Sequence, residues 1–198
     1  MKKIEMIWRH ILYEVIEKRN VSFRQQDLAR IFGISTSTVS LSLAPLRKLG
    51  AIRVGGRGFT VIDYEKILYT WANHRSLLYD TKISLHVDLP IQEAEGLLPD
   101  ETIATGYTAV RERFGEPPAD YDKIYCYHKN PKIVKERFLP HIRKGSYNLF
   151  ILQTDPQLMR YGDNVTLAQL FVDLWNMTDW YAKDFTTFLK GKIDELLS

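Results

Sequence analysis

Cysteine occurs once in 198 residues, as Cys126. An intrachain disulfide is thereby excluded and a thiolate zinc cluster cannot be assembled, which fits a reducing compartment. No run approaches the roughly 18 uninterrupted apolar residues a membrane span needs. The opening Met1-Lys2-Lys3-Ile4 is basic, but Glu5, Arg9 and Glu14 interrupt the apolar stretch behind it, so no secretory leader is expected and a cytoplasmic location is. His10, His74, His86, His128 and His141 show no i,i+4 pairing of the kind that holds a metal. Neither a nucleophile elbow nor a dinucleotide-binding fingerprint occurs. No cofactor, metal site or membrane partner is expected.

The composition is that of a globular protein with a core, 45% hydrophobic and 12% aromatic, and the length favours two domains. The net charge of +3 is unevenly spread. Residues 1–66 hold 12 Lys/Arg against 6 Asp/Glu, and the remainder holds 15 against 18. A basic first third on a mildly acidic remainder puts a polyanion-facing surface at the N-terminal end, although charge alone also fits ordinary solvated faces.

Ile4, Ile7, Trp8, Ile11, Leu12, Val15 and Ile16 recur at three-and-four spacing, which predicts a first helix with that stripe buried. Ser22 with Gln25 has the form of a capping box opening a second helix, with Leu28, Ala29 and Ile31 or Phe32 inward and Gly33 as its stop. Ser35 is placed as the N-cap of a third helix carrying Val39, Leu43, Leu46 and Leu49 inward up to Gly50. Pro45 lies inside that helix and is expected to kink it near Leu41. Two β-prone runs, Ile52 to Val54 and Phe59 to Ile62, flank Gly55-Gly56-Arg57-Gly58, a hairpin with a cation at its tip. A phosphate-cradling glycine loop is the rival reading of that tetrapeptide, but the lysine-serine ending and following helix are missing.

The strings Asp27-Leu28-Ala29, Phe32-Gly33-Ile34-Ser35, Thr38-Val39-Ser40 and Leu46-Arg47-Lys48-Leu49-Gly50-Ala51-Ile52 together resemble the winged helix-turn-helix of prokaryotic transcription regulators. In such modules the N-terminal part of the third helix faces base edges while cations, hydroxyls and helix ends grip phosphates. The expected DNA-binding residues are Arg24, Gln25, Gln26, Ser35, Thr36, Ser37, Thr38, Ser40, Arg47, Lys48, Arg53 and Arg57, with Leu41 and Ser42 as further outward candidates. Short hydroxyl side chains lack the bidentate readout of Arg, Asn or Gln, so direct specificity should be modest and shape should supply part of it.

Asp63 can cap a helix from Tyr64 to about Leu78 with Ile67, Leu68, Trp71 and Leu78 on its apolar side, read as a rigid spacer. Beyond it, Lys82 to Leu89, Ile124 to Tyr127 and Leu149 to Gln153 read as strands. Ile91 to Leu98, Thr108 to Phe114, Val134 to Leu139, Leu167 to Trp175 and Trp180 to Leu197 read as helices. Thr178 or Asp179 is placed as the cap of the last, with Tyr181, Phe185, Phe188 and Leu189 buried. The fold class is therefore α/β (α+β): a winged helix-turn-helix at 1–63, a linker helix at 64–79 and a mixed α/β domain at 80–198.

Asp63 to Trp71-Ala72, Ala104-Thr105-Gly106-Tyr107-Thr108-Ala109 and Thr166-Leu167-Ala168-Gln169-Leu170-Phe171-Val172-Asp173-Leu174 resemble the regulators related to abortive-infection antitoxins of the AbiEi type. The resemblance implies a winged helix joined to a degenerate nucleotidyltransferase-like domain, a repressor of promoters and, in some members, the antitoxin of a toxin partner. Double-stranded DNA is the expected partner; a homodimer and a toxin protein stay open. The alternative is a metal-dependent nucleotidyltransferase, with Gly106 at the triphosphate turn, Asp120 and Asp122 as the carboxylate pair and Asp155 as a third. Tyr107 stands where such enzymes need serine, and Pro117-Pro118 makes the approach to Asp120 read as a plain loop, so no catalytic residue is expected.

Overall fold

A computed structural model describes residues 1–56 and 58–198. Helix α1 (Lys3–Lys18) buries the predicted stripe from Ile7 to Ile16 and half-buries Ile4, and it buries Glu5, Arg9 and His10 as well. Burial that extends beyond one apolar stripe requires neighbours on more than one side. On one side lies α3 (Thr36–Lys48), whose Ser42 carbonyl accepts a 2.9 Å hydrogen bond from the Trp8 indole. On the others lie α4 (Tyr64–His74) and the C-terminal helices α9 (Leu167–Trp175) and α10 (Ala182–Leu197).

The first third forms a winged helix. Strand β1 (Ser22–Phe23) precedes α2 (Gln25–Phe32), and β2 (Ile52–Gly55) and β3 (Gly58–Val61) follow α3. The strands make an antiparallel sheet in the order β1-β3-β2, with Ser22 opposite Thr60 and Arg53 on the other side of the same residue. Ser22 is thus a strand residue rather than a capping box, and the N-cap of α2 is Arg24, without a side-chain bond. Gly33 ends α2 at φ +61°, a left-handed conformation that a Cβ penalises. Ser35 caps α3 as expected, its hydroxyl accepting from the Thr38 amide at 3.1 Å. The helix passes through Pro45 unbroken. The bond proline forfeits is the one to Leu41, a residue 74% exposed, where water can replace it. Leu49 is the C-cap and is exposed rather than buried, because the helix ends one residue before it.

Asp63 caps α4 through the Lys66 amide at 3.0 Å, and Ile67, Leu68 and Trp71 are wholly enclosed. The helix stops at His74, and a separate turn, α5 (Leu77–Asp80), leaves Leu78 82% exposed. The expected rigid spacer is thus a packed core helix between α1 and α9.

The second half is a four-stranded sheet in the order β4-β7-β6-β5, made of β4 (Thr81–Leu85), β5 (Ile103–Thr105), β6 (Ile124–His128) and β7 (Leu149–Gln153). Only the β6–β7 pair is parallel, and its crossover is α8 (Pro131–Phe138), as parallel neighbours require. Alternation along β6 and β7 separates two faces. Ile124, Cys126, Leu149 and Ile151 pack with Val134 and Phe138 of α8 and with α6 (Ile91–Gly96). Tyr125, Tyr127 and Leu152 join α7 (Gly106–Phe114), α9 and α10 in a core that continues without a break into the winged helix. The α+β class is as expected. No helix among the described residues is long and apolar enough to cross a membrane.

Buried charges cross the junction. Arg9 lies at 0% exposure and grips Asp155 with two hydrogen bonds of 2.7 Å, while its Nη1 also donates to Gln169 at 2.9 Å. Desolvation alone would lower the Arg9 pKa and raise that of Asp155; their pairing outweighs it, holding the guanidinium up and the carboxylate below its ordinary range. A second knot joins Arg75 at the end of α4 to Asp80, Asp173 and the Tyr127 hydroxyl. Asp173 also accepts from Thr105 and Tyr127 at 2.9 and 2.7 Å, yet burial keeps its carboxyl above the usual range. The Trp71 indole donates to Glu5 at 3.2 Å, and the terminal amine of Met1 donates to Asp80 at 2.7 Å.

Removing one member of a buried pair strands the other charge, so Arg9→Met and Asp155→Leu should each cost about 3–5 kcal/mol in denaturant unfolding. The double variant should lose far less than the sum of the two, since neither charge is then left alone.

Candidate nucleic-acid interface

Three elements meet at one end of the winged helix. A cleft of about 630 Å³ is lined by Arg24, Gln25 and Gln26 at the start of α2, Thr36 at the start of α3, and Gly55, Gly56 and Gly58 of the wing. Here the first turn of α3 is exposed at Thr36 and Ser37, with Leu41 one turn further on. Glycine at 58 is dictated by contact: a Cβ there would lie 2.1 Å from the Phe23 carbonyl oxygen. The wing can therefore close onto β1 only without a side chain.

The predicted residues divide by position. Arg24, Gln25, Gln26 and Thr36 share the cleft, and Ser37 follows on the same helical turn. Ser35 and Thr38 are engaged with each other, their hydroxyl oxygens 2.9 Å apart, so capping α3 occupies them. Arg47 and Lys48 lie in the last turn of α3, about 18 Å along the helix from its first residue at 1.5 Å per residue. Arg47 folds back to donate to the Ser40 carbonyl at 3.0 Å and to its hydroxyl at 3.3 Å, so these two residues form one patch. Arg53 projects from β2 and is exposed. Arg57 lies outside the described residues. Ser42 points inward instead, donating to the Thr38 carbonyl at 2.9 Å. Among the described residues, Arg24, Arg47, Lys48 and Arg53 stand beside no carboxylate at ion-pairing distance, which leaves their charge available to an incoming anion.

The carboxylates of the rival reading are dispersed. Asp155 is consumed by Arg9 in the core, Asp122 accepts from the Tyr181 hydroxyl, and Asp120 is an exposed loop residue. Asp120 and Asp122 precede β6 instead of alternating along it, so the strand geometry that would point both to one metal is not formed. Asp179 does not cap α10; its side chain takes hydrogen bonds from Tyr107 and Lys123. Cys126 is fully enclosed, and burial pushes its thiol up to about 12.

Residues 8–68 match the Crp-like helix-turn-helix domain. The match runs from Trp8 in α1 to Leu68 in α4 and covers the cleft, α3 and the wing. No curated protein and no solved structure matches the chain. The helix-turn-helix domain supports a DNA-binding transcriptional regulator with DNA as its partner. What the sequence reading missed is the support behind this interface: Glu5, Arg9, Gln169 and Asp173 were legible only as polar interruptions of helices whose other positions are apolar. The pairs Glu5/Arg9 and Gln169/Asp173 each stand at i,i+4 and so share a face, a sign that two polar stripes meet inside.

A second cleft of about 590 Å³ adjoins the first, between α1, α2 and the wing, and His10 forms part of its wall. His10 packs edge-on against Phe32 at 5.6 Å and faces the Tyr161 hydroxyl at 3.4 Å. Burial pushes its imidazole below the ordinary value; Glu14 opposes the shift, and Arg160 and Arg9 reinforce it.

Gly58→Ala should destabilise the fold by about 1–3 kcal/mol, since the Phe23 backbone must give way, and thermal unfolding will read the loss. With a depressed folded pKa, His10 contributes stability that is full above its ordinary 6.5 and is lost as the pH falls below that value. Denaturant unfolding at about pH 7.5 and about pH 5.5 should therefore show a smaller acid loss in His10→Gln than in the parent chain.

Proposed function

We propose that this regulator is a repressor that occupies double-stranded DNA in the cytoplasm, reading the major groove with the first turns of α3 and holding phosphates with α2 and the wing. The observation that carries the reading is the convergence of Gln25, Gln26, Thr36, the wing glycines and Arg24, a cation with no carboxylate at ion-pairing distance, on one open cleft. A helix N-terminus and cationic side chains are the groups that bind phosphate. Thr36 and Ser37 are the groups left to meet base edges, and their short hydroxyls discriminate weakly, so sequence-dependent shape contributes to site choice. Repression is what the resemblance to regulators of the AbiEi type implies, and a chain seated in this way would act by excluding other proteins from the same DNA.

The second half carries no reaction in this reading, because Asp155 and Asp122 are bound up in hydrogen bonds within the fold. The resemblance to antitoxins of the AbiEi type supports a protein partner for it, a toxin being the specific expectation. A homodimer would follow from paired half-sites, since the spacing of half-sites mirrors protein symmetry.

Affinity for duplex DNA should fall steeply with salt, the logarithmic slope being about −0.9 per neutralised phosphate. Arg53→Ala should weaken binding to all sequences alike and flatten that slope by about one unit, whereas Thr36→Ala should reorder sequence preference. Quantitative binding across a salt series decides: a flat series, or Thr36→Ala acting uniformly while Arg53→Ala reorders preference, would overturn the assignment.

A further inference from the structure

The second half is acidic overall, yet its cations are not dispersed. Residues 129–144 carry 6 Lys/Arg against a single acid, Glu136, while the rest of the chain beyond residue 66 carries 9 against 17. The strip is α8 with its two flanks. Pro131, Val134 and Phe138 face the sheet, which leaves Lys132, Lys135, Glu136 and Arg137 exposed on the outer side, with Lys129 just before the helix. After the helix, Arg143 and Lys144 extend the same exposed surface.

That surface is held firmly in place. Val87 bridges to Ile142, the Arg143 amide donates to the His86 carbonyl at 3.0 Å, and the Asp88 amide donates to the His141 carbonyl at 2.9 Å. Arg143 also donates to the carbonyls of Pro140 and Ile142 at 2.9 and 2.8 Å. Among the described residues only Lys129 of the six approaches a carboxylate, Glu101 at 3.5 Å; Lys132, Lys135, Arg137, Arg143 and Lys144 stand beside none. Lys132 and Lys135 stand three residues apart on the helix, where like charges repel, and neither has a carboxylate at ion-pairing distance. Such an array suits an external anion.

The place of the strip decides which anion. The face of the sheet covered by α8 is opposite the face that packs α7 and α9, and α1 and then α3 lie beyond α9. Sheet, α9 and α1 stand between α8 and α3, each layer adding about 10 Å. A duplex seated on α3 is thus on the far side of the molecule from α8. We propose that α8 and the segment through Lys144 form a second binding surface, and that its occupant is another stretch of duplex DNA, so that one chain bridges two duplexes. The identity of the occupant rests on the proposed role of the winged helix: a chain seated on DNA meets the phosphates of neighbouring segments at high local concentration, and a row of exposed cations grips a phosphate backbone without regard to sequence.

The test uses the full chain and two short duplexes, one immobilised and one labelled and free in solution. The parent chain should capture the labelled duplex on the immobilised one. Lys132→Glu/Lys135→Glu/Arg137→Glu alters only exposed side chains; it should bind a single duplex within about twofold of the parent and lose capture by about tenfold or more. Arg24→Glu/Arg53→Glu should retain a weak, strongly salt-dependent binding that disappears when the α8 changes are added. Capture that survives in the α8 variant would overturn the inference, since two winged helices of a dimer would then be the bridge. Parent chain that binds one duplex and captures no second would overturn it and leave the winged-helix reading intact, as would an α8 surface that holds single-stranded RNA in preference to duplex DNA. Parent chain that binds no duplex at all would remove both readings.

Discussion

The bidentate pair between Arg9 and Asp155 is the constraint on which the arrangement of the molecule depends. It joins the first helix of the winged helix to a loop beyond β7, and it lies where no water can take over if either partner is lost. Such a pair adds little net stability against a well-packed apolar alternative, because desolvating two charges offsets most of their attraction. Its effect is one of selection: apolar side chains tolerate sliding and rotation, whereas a guanidinium seated on a carboxylate accepts one geometry. The hydrogen bond from Arg9 to Gln169 and that from Arg75 to Asp173 add further fixed points between segments far apart in the chain, and Asp80 holds Arg75 locally.

A consequence is that α3 inherits its orientation from the second half. α3 rests on α1 through the Trp8 indole and the apolar stripe of Val39, Leu43 and Leu46. α1 rests in turn on α9, a helix buried from Leu167 to Leu174, so the exposed first turn of α3 is fixed relative to the four-stranded sheet. Whatever binds the outer surface of the second half is thereby held at a set angle to α3. A tethered winged helix on a loose linker would have no such relation, and the enclosed Ile67, Leu68 and Trp71 of α4 leave no loose linker here.

The winged helix was legible because its signals are local. Gly33 needs its left-handed turn, Ser35 its amide, and the glycines around residue 57 mark a hairpin wherever the chain goes afterwards. The helices and central strands of the second half were also readable from periodicity. Elements whose existence depends on distant partners were not. β1 is two residues long and exists because β3 comes to it, so Ser22 looked like a helix cap. β5 is three residues long and is defined by its pairing with β6. The boundary at 63–64 was read from the Asp63 cap, a true helix start, but a cap says nothing of what the helix packs against. Asp155 offered itself as a catalytic carboxylate because its partner, Arg9, lies 146 residues away in sequence.

Native-state amide hydrogen exchange tests the shared core most directly. If α1 and α9 belong to one cooperative body, their slowest amides open with the same free energy, equal to that of global unfolding. If the amides of α1 exchange together with α2 and α3 at a distinctly lower free energy while α9 stays protected, the winged helix is an independent unit and the account is contradicted.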